Sequence, residues 1–340
     1  MGPVYWMSPA MWACSPVRTV AQSRSRRHQP RPDHNHPGDG EPPVSPAAGQ
    51  TGRVVSHHGR ESLVEDREGR LYRCLSLKRV GRPLCGDYVD WHPETDETGV
   101  IDRIHPRHGV IARTAYNGRV QAIAANVDRM VVVSALEPPP DPELINRYLV
   151  LAHHLAVEPL LWLNKTDLDP DQAERLLASV FAGHRARGVA VMAGSPHTGE
   201  GMETLREALR EGTSVLVGLS GVGKSSLIKA LLPDRDLRIG DLSARSGLGR
   251  HTTTETTLYH LPEGGDLIDS PGIRALRLAN IPREALQPAF PEIARVASGC
   301  RFHNCQHRNE PGCAVRAAVE RGEIEPGRLA TLHHLLDEAA

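Results

Sequence analysis

The chain has 340 residues, 39% of them hydrophobic and 4% aromatic, enough to bury more than one core and to divide into two or three domains. Lys and Arg total 40 against 41 Asp and Glu, a formal net charge of −1, which excludes a uniformly basic field and leaves nucleic-acid contact to local patches. No apolar run approaches the roughly 20 residues of a membrane-spanning helix, so a soluble cytoplasmic protein with no membrane partner is expected.

Residues 1–50 hold nine prolines and five arginines and no apolar periodicity beyond Val20. They cannot bury enough surface to offset chain entropy, and a disordered Pro/Arg-rich extension is expected. Its first 32 residues lack acidic groups, as in a transit peptide, but Pro9, Pro16, Pro30 and Pro32 interrupt any amphipathic helix. From Thr51 the pattern changes. Short β-like runs at 52–55, 71–75, 87–91, 99–102 and 110–113 recur about every ten residues between Gly, Pro and Asp turns, which predicts a small five-stranded closed barrel of the OB type over residues 51–135.

After the apolar run 129–135, strands and helices alternate through residues 136–283. Asp141, Pro142 and Glu143 supply an N-cap, an N1 proline and a first-turn acid for a helix to about His154. Apolar strands are expected at 160–163, 189–192 and 214–217, and helices at about 170–181, 202–209 and 224–232. Such repetition predicts a mostly parallel α/β sheet with ligands at the carboxyl ends of its strands. Helices around a cysteine cluster are expected over 284–340.

Gly218-Leu219-Ser220-Gly221-Val222-Gly223-Lys224-Ser225 fits the phosphate-loop pattern in its required context, after an apolar strand and before an apolar helix. Glycines let the backbone wrap a phosphate, with the N–H groups from Gly218 to Ser226 turned toward the anion. Lys224 would reach the β and γ oxygens, and Ser225 would ligate Mg²⁺. Only four lysines occur in the chain, and two of them, Lys165 and Lys224, fall inside nucleotide motifs, where a slim ammonium fits and a forked guanidinium does not.

The base is chosen elsewhere. In Asn164-Lys165-Thr166-Asp167, Asp167 can accept both N–H groups on the guanine Watson–Crick edge, Asn164 is expected to meet the opposite edge, and the Lys165 stem to cover the ring. A pocket built on such bonds rejects adenine by leaving polar groups unpaired. Ser195 falls where a further loop would brush the guanine oxygen. Asp269-Ser270-Pro271-Gly272 closes the apolar run at 267–268; Asp269 would hold Mg²⁺ through water and Gly272 would offer its N–H to the γ-phosphate. Gly249-Arg250-His251-Thr252-Thr253-Thr254 can cover the metal and γ-phosphate, with His251 and Thr253 as catalytic-site candidates. GTP or GDP with Mg²⁺ is therefore the expected ligand. The base-reading motif precedes the phosphate loop, which leaves the switch segments at the end of the domain, next to the tail.

That tail carries Cys300, Cys305, His307 and Cys313. Three thiolates and an imidazole within 14 residues make a closed, structural Zn²⁺ set rather than a disulfide framework. Cys14, Cys74 and Cys85 carry no such pattern.

Taken in order, barrel, NKxD, phosphate loop, Gly-Arg-His-Thr-Thr-Thr, Asp-Ser-Pro-Gly and Cys-Cys-His-Cys resemble the circularly permuted GTPases of small-ribosomal-subunit biogenesis, the RsgA family. Ala124-Ala125-Asn126-Val127-Asp128 and Glu310-Pro311-Gly312-Cys313 match it as well. The resemblance implies a P-loop GTPase domain at 136–283, an OB-type barrel at 51–135, and a helical zinc-binding domain at 284–340. It also implies a monomer stimulated by the small subunit, bound to its rRNA and released on hydrolysis. Ile273 stands where many GTPases place a water-orienting glutamine, so slow intrinsic turnover is expected. Pro196 stands where similar proteins carry alanine. The alternative is an RNA-binding assembly scaffold in which GTP is a structural ligand; an ATP-dependent kinase is disfavoured by Asp167.

Overall fold

The structure, a computed structural model, describes residues 49–114, 120–233, 256–270 and 281–339. The expected extension, up to residue 48, lies outside them.

Five strands form the first domain: β1 (Gln50–His58), β2 (Glu61–Glu65), β3 (Leu71–Ser76), β4 (Tyr88–Pro93) and β5 (Thr98–Ile104). β1 pairs with β2 and β4, β2 with β3, and β5 with β3 and β4, so the ring closes. Alternate residues point inward, as strand geometry requires, and the interior consists of the fully buried Val54, Val64, Cys74, Val89, Trp91 and Ile101. The Tyr72 ring lies 4.6 Å from that of Trp91. The strand count is as expected, but one member differs. Residues 110–113 do not join the ring: β6 (Ile111–Thr114) pairs with β7 (Val120–Ala124) in a separate hairpin. Its place is taken by β2, a short mixed-polarity run that follows β1 through a tight turn at Gly59, whose φ is +55°, a hairpin signal too brief for a periodicity reading.

The second domain is a parallel sheet. β8 (Arg129–Ala135), β9 (Glu158–Asn164), β10 (Ala190–Ala193), β11 (Thr213–Val217) and β13 (Asp266–Asp269) run parallel in the order β10-β9-β8-β11-β13, and antiparallel β12 (Thr257–His260) follows β13. Both faces are covered, which explains the nearly unbroken apolar strands. One face, with Met130, Val132, Leu161, Val215 and Ile268, packs on α1 (Pro142–His154), α2 (Pro170–Ala178) and the Phe181 turn before α3 (Ala182–Ala186). The other, with Val131, Val133, Leu160, Trp162 and Leu216, packs on α4 (Met202–Ala208) and α5 (Lys224–Leu231). β8 falls before the boundary expected at 135 yet pairs with β9 and β11, and we propose moving that boundary to residue 128.

The strand ladders of barrel and sheet join at Ser56, paired with Thr257, and Val55, Leu63 and Cys85 pack into the sheet's core; side chains reinforce the joint. Arg53 donates to Thr213 Oγ1 at 2.7 Å and lies 3.1 Å from Asp266. His260 sits between Glu65 and Asp266, 2.6 Å from each. Asn126, in a left-handed conformation with φ +58°, donates to Gly86 O, while Asp128 accepts from Thr213 N–H. The family-like run 124–128 is thus the splice between the two domains.

The tail is helical: α6 (Arg283–Leu286), α7 (Pro291–Ala297), α8 (Ala314–Glu320) and α9 (Pro326–Glu338). Its core, built on Phe290, Ile293, Val315 and Leu332, also contains Cys305, Cys313 and Val150 of α1.

Candidate functional site

Four loops leave the carboxyl ends of neighbouring parallel strands and gather at one edge of the sheet. Asn164 ends β9, the run Gly194-Ser195 follows β10, Gly218 follows β11 and Asp269 ends β13. Residues far apart in the chain are brought together because β9 and β11 both flank β8, and β13 lies beside β11.

The phosphate loop has the shape that its glycines allow. Gly218 has φ +139°, and a Cβ there would lie 2.2 Å from Val133 O; Gly223 has φ +91°, and its Cβ would meet Asn164 Nδ2 at 2.3 Å. Any side chain at either place would push the loop off the sheet or away from the base-reading strand. Lys224, 6% exposed, donates to Gly218 O at 2.7 Å and to Leu219 O at 2.5 Å, so its ammonium folds back over the loop it serves. Leu219, Ser220, Gly221, Ser225 and Ser226 are exposed, and Val222 is buried.

Asn164 has a structural task that the motif does not announce. Its Oδ1 accepts from Trp162 Nε1 at 3.2 Å and its Nδ2 donates to Val222 O at 2.8 Å, with 1% of the residue exposed. Both ends of the amide bond inside the protein and tie the base-reading loop to the phosphate loop, and its second N–H is the donor that a purine edge would take. Lys165, at φ +61°, extends the same tie: Nζ donates to Glu137 O at 2.6 Å and Gly221 O at 2.8 Å, laying its stem between the two loops. Asp167 is exposed at the mouth, with His197 Nδ1 4.0 Å away.

Ser195 is 1% exposed and staples its own loop. Its N–H donates to Glu200 O at 3.0 Å, and its Oγ accepts from His197 N–H at 3.1 Å. Pro196 has no N–H. The three successive residues therefore keep their backbone N–H groups within the loop or lack one. Asp269 and Ser270 are buried beside the phosphate loop, and Thr256 donates to Ser270 Oγ at 2.8 Å. His251, Thr253, Gly272 and Ile273 lie outside the described residues.

The second cluster is Cys300, Cys305, His307 and Cys313, whose ligand atoms all lie within 4.8 Å of one another. His307 Nδ1 is 3.6 Å from Cys300 Sγ and 3.5 Å from Cys313 Sγ, and those sulfurs are 4.0 Å apart. A tetrahedral zinc with Zn–S bonds of ~2.3 Å and Zn–N of ~2.0 Å has edges of about 3.5–3.8 Å, so the four groups fit such an ion. His307 faces Gln287 Oε1 at 3.3 Å through its other ring nitrogen, which orients the ligand. Glu310 braces the loop by accepting from the N–H groups of Gln306, Arg308 and Asn309 at 2.8–3.0 Å. Those backbone donors, that of Gln306 foremost, hold its carboxyl down at about 2.

Phosphate loop, base-reading loop and Asp269 on one sheet edge, with the base-reading strand preceding the phosphate loop in the chain, define a circularly permuted P-loop GTPase with a barrel before it and a Cys₃His domain after it. The RsgA GTPase family model matches residues 104–279. The chain belongs to the RsgA GTPase family and is a GTPase. A relative from Chromohalobacter salexigens, named small ribosomal subunit biogenesis GTPase RsgA, is 46% identical over 290 residues, 84% of this chain and 85% of its own. One from Pseudomonas aeruginosa with the same name is 40% identical over 326 residues, 96% of this chain and 94% of its own. The crystal structure of YjeQ from Thermotoga maritima superposes with a TM-score of 0.69 at 31% identity, over 86% of this chain and 98% of that one. YloQ, a circularly permuted GTPase, gives 0.67 at 28%, over 86% and 95%.

Sequence reasoning passed over Trp162, Glu137 and Gln287, which hold these loops in place, and the Arg53–Asp266–His260–Glu65 chain at the barrel–sheet joint. Their partners are distant in sequence, and no local pattern announces them.

Proposed function

We propose that this GTPase acts in late maturation of the small ribosomal subunit, binding precursor particles and their rRNA through the barrel and the zinc-binding domain and leaving on GTP hydrolysis. The names of the relatives support the process. The observation that carries the chemistry is the convergence of Asp167, Lys224 and Asp269 on one sheet edge.

Asp167 selects guanine from the mouth of the pocket, while Asn164 and Lys165 hold that mouth against the phosphate loop. The loop N–H groups and the first turn of α5 receive the phosphates, and Lys224 exchanges its two loop carbonyls for phosphate oxygens. Ser225 and Asp269 would hold Mg²⁺, whose charge balances that of the phosphates when bound. His251, Thr253 and Gly272 complete the γ-phosphate end by the family match. Cys300, Cys305, His307 and Cys313 would hold one Zn²⁺, a closed structural site that pins the tail. The protein is taken as a cytoplasmic monomer; no described helix is long and apolar enough to cross a membrane.

Sedimentation with purified small subunits tests the reading. Co-sedimentation with a non-hydrolysable GTP analogue and release with GDP are expected. Binding that ignores the nucleotide would favour the assembly-scaffold alternative.

A further inference from the structure

Helix α1 has two buried faces that belong to different domains. Ile145, Tyr148, Leu149 and Ala152, spaced three and four residues apart, pack into the core beneath the parallel sheet. Tyr148, 3% exposed, lines a pocket with Gly218, Leu219 and Val222 of the phosphate loop. Burial raises the pKa of its hydroxyl, and the Gly218 backbone, which favours the anion, acts in the opposite sense.

Two residues along a helix is a turn of ~200°, so Asn146 lies on the far side from Tyr148. There its amide is wholly committed to the tail. Oδ1 accepts from Arg328 Nη1 at 3.0 Å, and Nδ2 donates to Thr331 Oγ1 at 3.3 Å. Arg328 is itself 3% exposed, paired with Glu292 at 2.6 Å and stacked 4.4 Å above the Phe290 ring. Val150, one turn on from Asn146, sits in the same core as Cys305 and Cys313. One helix thus lines a pocket with the phosphate loop on one side and packs into the core of the Cys₃His domain on the other.

We propose that α1 couples these two sites: Tyr148 is a positioning residue for the phosphate loop, kept in place by the docking of the C-terminal domain on Asn146 and Val150. The proposal rests on the reading that the loop holds a guanine nucleotide. Coupling of this kind is reciprocal, so nucleotide binding and docking of the tail strengthen each other to the same degree. It adds a direct contact route to the chain connection through the switch segments, and it involves no residue that touches the nucleotide's base.

Hydrogen exchange on the wild-type full chain, with and without saturating GDP, supplies the first test. Slower exchange in α9 as well as in the phosphate loop is expected; protection of the loop with α9 unchanged would overturn the coupling. The second is the affinity for a fluorescent GDP analogue in variants whose melting temperatures match wild type. Tyr148→Phe keeps the ring, and roughly three- to tenfold weaker binding is expected, the scale of one hydrogen bond. Asn146→Ala is expected to weaken binding as well, the double variant by less than the product of the two, and Asn146→Asp, which keeps the acceptor for Arg328, to restore most of the loss. Wild-type affinity in Asn146→Ala would overturn the proposal. A wild type that binds no GDP at all would remove the reading of the pocket itself, an outcome distinct from variants that match a binding-competent wild type.

Discussion

At single positions, the chemistry divides between residues that read the ligand and residues that hold the readers. Among the described residues Asp167 makes no side-chain hydrogen bond, only the His197 approach at 4.0 Å, whereas Asn164 is tied internally at both ends. Asp167→Asn is therefore expected to cut the preference for GTP over ATP by about a hundredfold or more, measured by calorimetry with both nucleotides; an unchanged ratio would assign selection elsewhere. The loop at 195–197 makes the opposite forecast. Ser195 and His197 spend their N–H groups inside it, and Pro196 has none. Pro196→Ala restores a donor, and GDP affinity is expected to rise by roughly two- to tenfold; a fall would mean that the ring packs against the base. The motifs Asn164–Asp167 and Gly218–Ser225 were legible in the sequence because each is a short run whose context is local. The engagement of Asn164 with Val222, 58 residues away, was not.

Among elements, the metal loop and the joint between barrel and sheet depend on backbone and charge in different ways. Glu310 holds three N–H groups on either side of His307, within the Cys₃His cluster. Glu310→Ala is expected to lose zinc to a chelator about ten- to a hundredfold more readily, as removal of a group that orients ligands does, with zinc read by a colorimetric indicator. Wild-type retention would make the brace irrelevant. His260 lies between Glu65 of the barrel and Asp266 of the sheet and is half exposed. Its bonds to Asp266 and then Glu65 push its pKa up to about 10 from 6.5. A raised native pKa stabilises the fold fully below the unfolded value and ceases to do so as pH rises through the native one. The stability gap between wild type and His260→Gln in urea unfolding is therefore expected to be widest near pH 6 and to close by about pH 10; a gap that widens with pH would contradict the pairing. The barrel's strand count could be read from its turn spacing, but its membership could not: β2 is short and mixed in polarity, and 110–113 pairs with a hairpin partner instead. Pairing is a tertiary choice, and alternation alone does not reveal it.

Across the whole molecule, the permutation sets the order of parts along the chain. The Asn164–Asp167 loop comes first, the phosphate loop follows, and the chain after Asp269 leads to the tail with its Cys₃His cluster. α1 closes the circuit through space, its Val150 buried among the tail's core residues. That architecture fits the proposed role, in which nucleotide state governs how the outer domains engage the small subunit. Domain order and the Cys₃His cluster could be read in advance because they follow chain order; the α1 contacts could not, because Asn146 and Arg328 stand 182 residues apart. GTP turnover by the full chain, with and without purified small ribosomal subunits, puts the whole reading at risk. Slow turnover alone and strong stimulation by the subunits are expected, both lost in Ser225→Ala. Equal turnover in the two conditions would contradict it.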